Sequence, residues 1–301
     1  MDYQQVKALE GHEERVNCVD YNKQIPNELA SCANDKTIKI WDIQTGQCKK
    51  TFVLDEDIAA IKYNPTDPTS FISGSDDGLI RFWDTRIKKQ IKEVKAYEYD
   101  NEDLYYNNTG EYFVSTASSG VLKIWKAHSL ELYKTINTDK KIRSAIFNPK
   151  NSNELAIAHH NQIYIVDIHS DKITKVFELD NECKNLDYSP DGKEIAYAQH
   201  AISPHPNIVK VLNISENTVM AYRGHIGHIS IIKFHPKQPE LIAMGNGRIT
   251  IWKINKNLNS SASLEVPDPY YALDCNPHHD NEFAASGCDK TIRIYQKPAT
   301  S

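Results

Sequence analysis

The chain has 301 residues, a hydrophobic fraction of 40%, a charged fraction of 25% and a formal net charge of −5 at pH 7. The apolar content is sufficient for a packed interior, whereas the negative net charge argues against non-specific attraction to a nucleic acid backbone. No stretch approaches the roughly 18 uninterrupted apolar residues that a membrane helix needs, so we expect neither nucleic acid nor a membrane as a direct partner.

The N-terminal residues Met1 to Gln5 contain no basic segment leading into an apolar run, so no secretory signal is expected. The six cysteines include no C-x-x-C pair, and four of them fall in predicted strands, where a thiol behaves as a small hydrophobic group. Reduced thiols, and with them a cytoplasmic or nuclear location, are therefore expected.

The clearest pattern along the chain is a repeat of about 42 residues. Trp41, Trp83 and Trp125 follow one another at intervals of 42 residues, and the register continues through Val166, Leu212, Trp252 and Tyr295. The residues three and one before each of these seven positions are apolar, as in Ile38/Ile40 and Ile292/Ile294. This alternation predicts a strand with one buried face.

Each unit has a second strand pattern about 20 to 25 residues earlier, followed by turns rich in Pro, Gly and Asn such as Asn64-Pro65 and Asn276-Pro277. Four short strands per unit at this period are typical of β-propeller blades. We therefore predict an all-β fold with a single seven-bladed β-propeller of four-stranded antiparallel blades over residues 1–301. The predicted blades span residues 11–50, 51–92, 93–134, 135–176, 177–220, 221–264, and 265–296 together with 4–10.

Closure of the ring is also predicted. The last unit supplies only three strands before its end near Gln296, and a further strand pattern is present in Gln4 to Leu9. Pairing of this N-terminal strand with the last blade would remove an open edge that invites aggregation.

Several residues resemble the WD-repeat family. Gly11-His12, Ser31, Asp35 and Trp41-Asp42 match its full pattern in the first unit, and partial copies occur at Ser73/Asp77 with Trp83-Asp84, at Gly224-His225 with Trp252 and at Asp289 with Tyr295. The resemblance implies a WD-repeat propeller in which His12, Ser31, Asp35 and Trp41 form a buried hydrogen-bond network that fixes the turns of the blade. Such a network superficially resembles a catalytic triad, but its burial leaves no exposed nucleophile, so we expect no enzyme activity.

No cofactor or metal site is predicted. The paired histidines His159/His160, His225/His228 and His278/His279 lack companion ligands at metal-binding spacing. The segment Gly245-Asn246-Gly247 is not followed by the helix that a phosphate-binding loop requires.

Alignment on the family repeat places a set of side chains on the top face of the propeller, where partners are expected to bind. These candidate partner-binding residues are Arg15, Asn17, Asp57, Asp76, Tyr99, Asn101, Lys141, Arg143, His228 and Tyr271. Blades two and three are rich in acidic residues with interleaved tyrosines, a composition suited to a Lys- or Arg-bearing peptide. An insertion at residues 199–206 is expected to project from the same face.

A second resemblance covers residues 71–86, which are similar to the box of WD-repeat substrate receptors that dock on the propeller adaptor of cullin-4 ubiquitin ligases. Asp77, Trp83, Asp84 and Arg86 carry this match and are the candidate adaptor-docking residues. The leading prediction is a non-catalytic protein-interaction scaffold, a monomeric propeller within a multi-protein complex. A ligase substrate receptor, and a subunit of an RNA-processing or chromatin complex, are the alternatives.

Overall fold

Strands account for all the regular structure of the part of the chain that is described. The computed structural model describes residues 3–87, 89–138, 140–170, 172–199, 208–254, 259, 262–266 and 270–298. These residues form 28 strands, arranged as seven four-stranded antiparallel sheets. The same residues contain no helix with the length and hydropathy needed to cross a bilayer.

Each sheet is one blade, and strands are numbered in chain order. The first strand, β1, spans Gln4–Leu9 and belongs to blade 7. Blade 1 contains β2 (Val16–Tyr21), β3 (Glu28–Ala33), β4 (Thr37–Asp42) and β5 (Gln47–Val53). Blade 2 contains β6 (Ile58–Tyr63), β7 (Ser70–Ser75), β8 (Leu79–Asp84) and β9 (Gln90–Lys95). Blade 3 contains β10 (Asp103–Tyr106), β11 (Tyr112–Thr116), β12 (Val121–Lys126) and β13 (Glu131–Asn137).

The remaining blades repeat this order. Blade 4 contains β14 (Ile142–Asn148), β15 (Asn151–His159), β16 (Gln162–Asp167) and β17 (Lys172–Glu178). Blade 5 contains β18 (Cys183–Tyr188), β19 (Glu194–Gln199), β20 (Ile208–Asn213) and β21 (Thr218–Tyr222). Blade 6 contains β22 (Ile231–Phe234), β23 (Glu240–Gly245), β24 (Arg248–Lys253) and β25 (Ala262–Glu265). Blade 7 contains β26 (Tyr270–Cys275), β27 (Glu282–Gly287) and β28 (Ile292–Gln296), with β1 at its outer edge.

The ring closes through antiparallel pairing of β1 with β28, from Gln4 opposite Gln296 to Leu9 opposite Ile292. The predicted all-β, seven-bladed fold and its N-terminal closing strand are therefore confirmed. The predicted blade boundaries differ slightly from the sheets, since β5 ends at Val53 rather than at residue 50 and β9 at Lys95 rather than at residue 92.

The hydrophobic core is divided among the spaces between neighbouring blades. Ile38 and Ile40 of β4 are buried, while Lys39 between them is only partly so, as the alternating pattern predicted. These residues pack with apolar groups of blade 2, and Phe52 of blade 1 meets Trp83 of blade 2 edge-on with ring centroids 5.2 Å apart. Each blade thus needs its neighbours to bury its faces.

Polar contacts also link consecutive blades. Three carboxylates of first strands accept a hydrogen bond from a backbone N–H of the next blade: Asp20 from Tyr63 at 2.8 Å, Asp187 from Phe234 at 2.7 Å and Asp274 from Tyr21 at 2.9 Å. Four tyrosine hydroxyls donate to a glutamate of the preceding blade: Tyr63 to Glu28, Tyr188 to Glu154, Tyr3 to Glu240 and Tyr21 to Glu282, at 3.0 to 3.1 Å. The seams between blades are therefore held by directional bonds as well as by apolar packing.

Candidate functional site

The four polar residues singled out in blade 1 lie in one hydrogen-bonded chain. Nδ1 of His12 is 2.8 Å from Asp35, and its Nε2 is 2.7 Å from Ser31 Oγ, which also accepts a 2.8 Å hydrogen bond from Trp41 Nε1. Because an ionised carboxylate only accepts, Nδ1 of His12 carries the proton and Nε2 accepts from the Ser31 hydroxyl. Ser31 is fully buried, so its hydroxyl cannot meet a substrate, and the network acts on the fold.

The ionisation of this network follows from burial and hydrogen bonding. Burial lowers the pKa of His12, although the Asp35 carboxylate opposes this effect, so the imidazole is neutral at pH 7. Burial alone would raise the pKa of Asp35, but hydrogen bonds from Thr37, from the Glu13 backbone and from His12 together lower it.

Blades 2 and 3 contain shorter versions of the same network. Trp83 Nε1 donates to Ser73 Oγ at 2.8 Å, and Trp125 Nε1 donates to Ser115 Oγ at 2.9 Å. In blade 3 the hydroxyl of Tyr97 lies 2.8 Å from Ser115 Oγ, in the place that a histidine takes in blade 1. Sequence reasoning missed Ser115, although it lies ten residues before its tryptophan, as Ser31 and Ser73 do.

The top face is the side of the ring on which loops between blades lie beside loops between second and third strands. The two loop types are joined by backbone hydrogen bonds, such as Asn34 N to Arg15 O at 2.9 Å and Asp76 N to Asp57 O at 3.0 Å. Most of the candidate partner-binding residues are on these loops, or at the starts of the first strands beside them. The bottom face carries the opposite set of turns.

At the junction of blades 7 and 1, three of the candidate residues contact one another. Arg15 Nε donates to Asn17 Oδ1 at 2.7 Å, and the Arg15 guanidinium lies 5.0 Å from the ring centroid of Tyr271. Asn17 in turn donates to Asn34 Oδ1 at 2.6 Å and to the Ile58 carbonyl at 2.8 Å. Arg15 is therefore held in place before any partner arrives.

Blades 2 and 3 form an acidic sector around Asp76, defined here as Asp57, Asp76, Asp100 and Tyr99. Burial raises the pKa of Asp76, and the charges of Asp57 and Asp100 raise it further, while Arg15 has the opposite effect. Among the described residues, no ion pair within 4.0 Å is formed by any of these three aspartates. Tyr99 exposes 72% of its surface beside them. The sector thus combines an accessible aromatic ring with negative charge that no ion pair among the described residues neutralises.

Asn101 is not part of this surface, and its prediction as a partner contact is wrong. Its side chain is fully buried and donates to the carbonyls of Leu79 at 3.1 Å and Ser75 at 3.4 Å. It packs where blade 2 has Gly74, since a Cβ at that glycine would lie 2.7 Å from the Asn101 Cβ. Asn101 therefore stabilises the seam between blades 2 and 3.

The basic candidates of blade 4 are neutralised by their neighbours. Lys141 forms an ion pair with Glu102 of the preceding loop, and Arg143 Nε lies 2.6 Å from Glu182 of the following one. His228 Nε2 lies 2.8 Å from Lys184 Nζ, so this ring nitrogen accepts from the ammonium. The acidic sector therefore borders a region of paired charges rather than a positive patch.

The candidate adaptor-docking residues are separated by the structure. Asp77 lies just before β8, and its carboxylate is 2.6 Å from Nη2 of Arg81. Arg86 follows β8 and lies on the bottom side. A six-residue strand is about 20 Å long, so the two groups lie far apart. Trp83 is buried and cannot contact an adaptor directly, which corrects its assignment as a docking residue. Asp84 holds Arg86 through Nε at 2.9 Å, and 71% of the Arg86 side chain remains exposed.

Two cavities lined by described residues lie in the central channel, one on each side of a layer of charged side chains. The cavity at the top has a volume of about 220 Å³ and the one at the bottom about 440 Å³, and both are lined by Lys62, Tyr105 and Lys233. The two lysine amino groups lie 5.4 Å from the Tyr105 ring centroid and pair with Asp20 at 3.0 Å and Asp187 at 3.2 Å. Burial would lower the pKa of Lys62, but Asp20 raises it well above its usual range, so the layer stays charged.

The remaining features are the potential metal ligands among the described residues and the insertion. No group of three or more His, Cys, Asp or Glu side chains in this part of the chain is arranged to hold a metal ion. The predicted insertion at 199–206 lies between β19 and β20, and all of it except Gln199 is outside the described residues.

Comparisons with known proteins agree with the repeat pattern. A family profile described as "WD domain, G-beta repeat" matches residues 3–42, 46–84 and 266–296. These segments cover β1 to β4, β5 to β8 and most of blade 7.

Curated relatives match parts of the chain. The nuclear distribution protein nudF of Aspergillus niger is 45% identical over 49 residues, which are 16% of this chain and 11% of that protein. The WD40 repeat-containing protein smu1 of Dictyostelium discoideum is 27% identical over 175 residues, 52% of this chain and 31% of that protein. The protein transport protein SEC31 of Saccharomyces cerevisiae is 26% identical over 141 residues, 43% of this chain and 11% of that protein.

The matched regions thus span about a tenth to a third of the length of these relatives. The comparisons match the repeat in separate segments of the sequence. In the structure the repeats fold as seven four-stranded blades, and β1 closes the ring. On this evidence the chain contains WD repeats, matched at residues 3–42, 46–84 and 266–296, within a seven-bladed β-propeller.

Proposed function

We propose that this propeller is a non-catalytic scaffold that holds a basic segment of a partner protein against the acidic sector of its top face. WD-repeat propellers generally act as protein-interaction scaffolds, and fold alone does not identify the partner. The observation that carries the proposal is the crowding of Asp57, Asp76 and Asp100 without a paired cation among the described residues, beside the exposed Tyr99.

Carboxylates whose charges repel one another are stabilised when a lysine or arginine approaches, and they steer a positive ligand towards the face before contact. A rigid, exposed tyrosine supplies contact area at a low cost in conformational entropy. Both features recognise a Lys- or Arg-bearing extended peptide, and they disfavour an acidic peptide or a nucleic acid.

The test uses two fluorescein-labelled synthetic peptides, one of alternating lysine and alanine and one in which glutamate replaces each lysine. Fluorescence anisotropy should show binding of the lysine peptide only, with affinity that falls as salt is raised. The Asp57→Asn/Asp76→Asn variant should weaken binding about tenfold or more. The matched control Glu131→Gln/Asp191→Asn removes the same charge from the bottom face and should bind like the wild type. Equal loss in both variants would contradict a localised site.

A second candidate function rests on the exposed guanidinium of Arg86. Asp84 accepts from its Nε and Nη2, which form one edge of the group, and leaves most of the side chain open to a partner, as a docking contact for a ligase adaptor would require. Binding to the purified adaptor propeller should be lost in Arg86→Ala and retained in Lys126→Ala, which removes an exposed cation from the bottom end of β12 in blade 3. Absence of binding by the wild type would dismiss this candidate.

A further inference from the structure

The outermost strand of each blade is called its rim strand here. In five blades the rim strand contains a β-bulge that is followed by a lysine. The pairings β1–β28, β4–β5, β8–β9, β12–β13 and β16–β17 each show a register shift that adds one residue to the outer strand. The lysines that directly follow the extra residue are Lys7, Lys50, Lys92, Lys134 and Lys175.

These five lysines reach forward to the next blade. Lys7 Nζ donates to the Ile43 carbonyl at 2.7 Å, and Lys175 Nζ to the Ile214 carbonyl at 2.8 Å. The equivalent acceptors for Lys50, Lys92 and Lys134 are the carbonyls of Thr85, Ser129 and Ile168. A bulge and a lysine are two devices by which natural sheets prevent other chains from pairing with an exposed edge.

Blade 5 lacks both devices. Its outer strand β21 pairs with β20 without a register shift, from Tyr222 opposite Val209 to Thr218 opposite Asn213. Met220 lies opposite Val211, where blade 4 has Lys175 opposite Ile165. The chain is one residue shorter here, since Met220 comes eight residues after Leu212 whereas Lys175 comes nine after Val166. β21 therefore presents five consecutive uncharged residues in regular register.

The open part of this edge is Thr218–Ala221. Val219 exposes 48% of its surface, and Thr218 is also exposed. Among the described residues outside blade 5, one isolated β-bridge reaches this edge of the sheet. It joins Asn259 to Arg223, which lies just beyond the end of β21. Described β25 of blade 6 also runs without a bulge, but it has only four residues and ends in Glu265.

We propose that β21 pairs antiparallel with β21 of a second copy of this chain. The strand is flanked by exposed Glu216 on one side and exposed Arg223 on the other. Antiparallel pairing places the Glu216 end of one copy beside the Arg223 end of the other, whereas parallel pairing would bring like charges together. The same patch then serves both copies, as a two-fold dimer requires.

The expected dimer is weak. About four residues of each copy take part in the pairing, and interfaces below about 1,200 Å² belong to the weak or transient class. Self-association should therefore depend on concentration in the micromolar range or above.

Sedimentation velocity of the purified full chain from about 1 to about 200 µM tests the pairing. The weight-average mass of the wild type should rise with concentration. Met220→Lys places in β21 the residue that five other rim strands carry at this position, so the blade should fold, and its dissociation constant should increase about tenfold or more. Val53→Lys is the matched control, because it adds the same charge to an exposed rim position of bulged β5.

Amide hydrogen exchange identifies the surface involved. Protection of Thr218–Ala221 should rise with protein concentration in the wild type and in Val53→Lys, and not in Met220→Lys. A wild type that remains monomeric across the range overturns the proposal. So does a dimer that leaves these amides unprotected, or one that Met220→Lys does not weaken.

Discussion

Removal of the Tyr63 hydroxyl should weaken the seam between blades 1 and 2, whereas removal of the Tyr106 hydroxyl should leave the next seam unchanged. Tyr63 donates to Glu28 at 3.1 Å, and both residues are buried. Tyr106 occupies the equivalent strand-end position in blade 3, but its hydroxyl is inaccessible and has no hydrogen-bond partner among the described residues. Blade 2 has Ser70 where blade 1 has Glu28, so Tyr106 has no carboxylate at this position to which it could donate.

The magnitude follows from the acceptor. A hydrogen bond to a charged group contributes about 1.5 to 3 kcal/mol to stability. Glu28 keeps its bonds from Asn22 at 2.9 Å and Lys49 at 3.0 Å in Tyr63→Phe, so the loss is limited to this one bond. In Tyr106→Phe no bond is lost, and a buried hydroxyl that has no partner disappears, so the change in unfolding free energy should lie between zero and a slight stabilisation.

Urea unfolding at pH 7, followed by tryptophan fluorescence and by far-UV circular dichroism, measures both variants against the wild type. Tyr63→Phe should shift the midpoint to lower urea at an unchanged slope. Equal destabilisation by the two substitutions would refute the reasoning, because it would mean that the hydroxyls matter through packing rather than through the Glu28 bond.

Three further predictions concern the turns and seams. Burial lowers the pKa of His235 to about 4 from the ordinary 6.5. Between these two pH values the imidazole is protonated in the unfolded chain and neutral in the folded chain, so the free energy of unfolding should fall as pH drops from about 6.5 towards 4. His235→Asn should fold, since Asn22 Oδ1 accepts the same pair of turn N–H groups in blade 1 that His235 Nδ1 accepts in blade 6. In urea titrations it should lose less unfolding free energy than the wild type between pH 7 and pH 5. An equal loss in both proteins would exclude His235 as the source of the pH dependence. Asn101→Ala should cost about 1 to 3 kcal/mol because it removes two hydrogen bonds, to the carbonyls of Ser75 and Leu79, and the packing of the side chain against Gly74. Calorimetry showing no loss would contradict a stabilising role for Asn101 at this seam. Asp20→Ala should lower the free energy of unfolding by about 3 to 5 kcal/mol, because Lys62 then stays buried without its ion-pair partner. The double variant Asp20→Leu/Lys62→Met should lose less. A double variant at least as unstable as the single one would contradict the role of the unpaired charge.

The repeat architecture could be predicted because its signal is periodic. Apolar alternation before Trp41, Trp83 and Trp125, with turn residues between strands, fixes the number of blades and the order of their strands. The closing role of β1 followed from a missing strand in the last unit. Blade 1 also matched in detail, since His12, Ser31, Asp35 and Trp41 lie in one hydrogen-bonded chain.

Side-chain direction in irregular loops was beyond the reach of the pattern. Asn101 aligns with Asn17 of blade 1, but Asp100 before it has a φ of +36°, and the chain turns the Asn101 side chain inward. Pairing of charges across loops, such as Arg143 with Glu182, depends on distances between residues far apart in sequence and has no local signal. The rim lysines of blades 1 to 4, in contrast, lie nine residues after Trp41, Trp83, Trp125 and Val166 of the third strands and could have been found from the repeat.

The pairing of β1 with β28 constrains how the chain can be made. Residues at opposite ends of a sequence of 301 must meet before the last blade is complete. During synthesis the earlier blades can assemble in order, but β1 must wait without its neighbour until Gln296 has left the ribosome. A nascent chain stalled before that point would expose an unpaired strand edge on each side of the gap, so we expect late translation to be the stage most prone to aggregation.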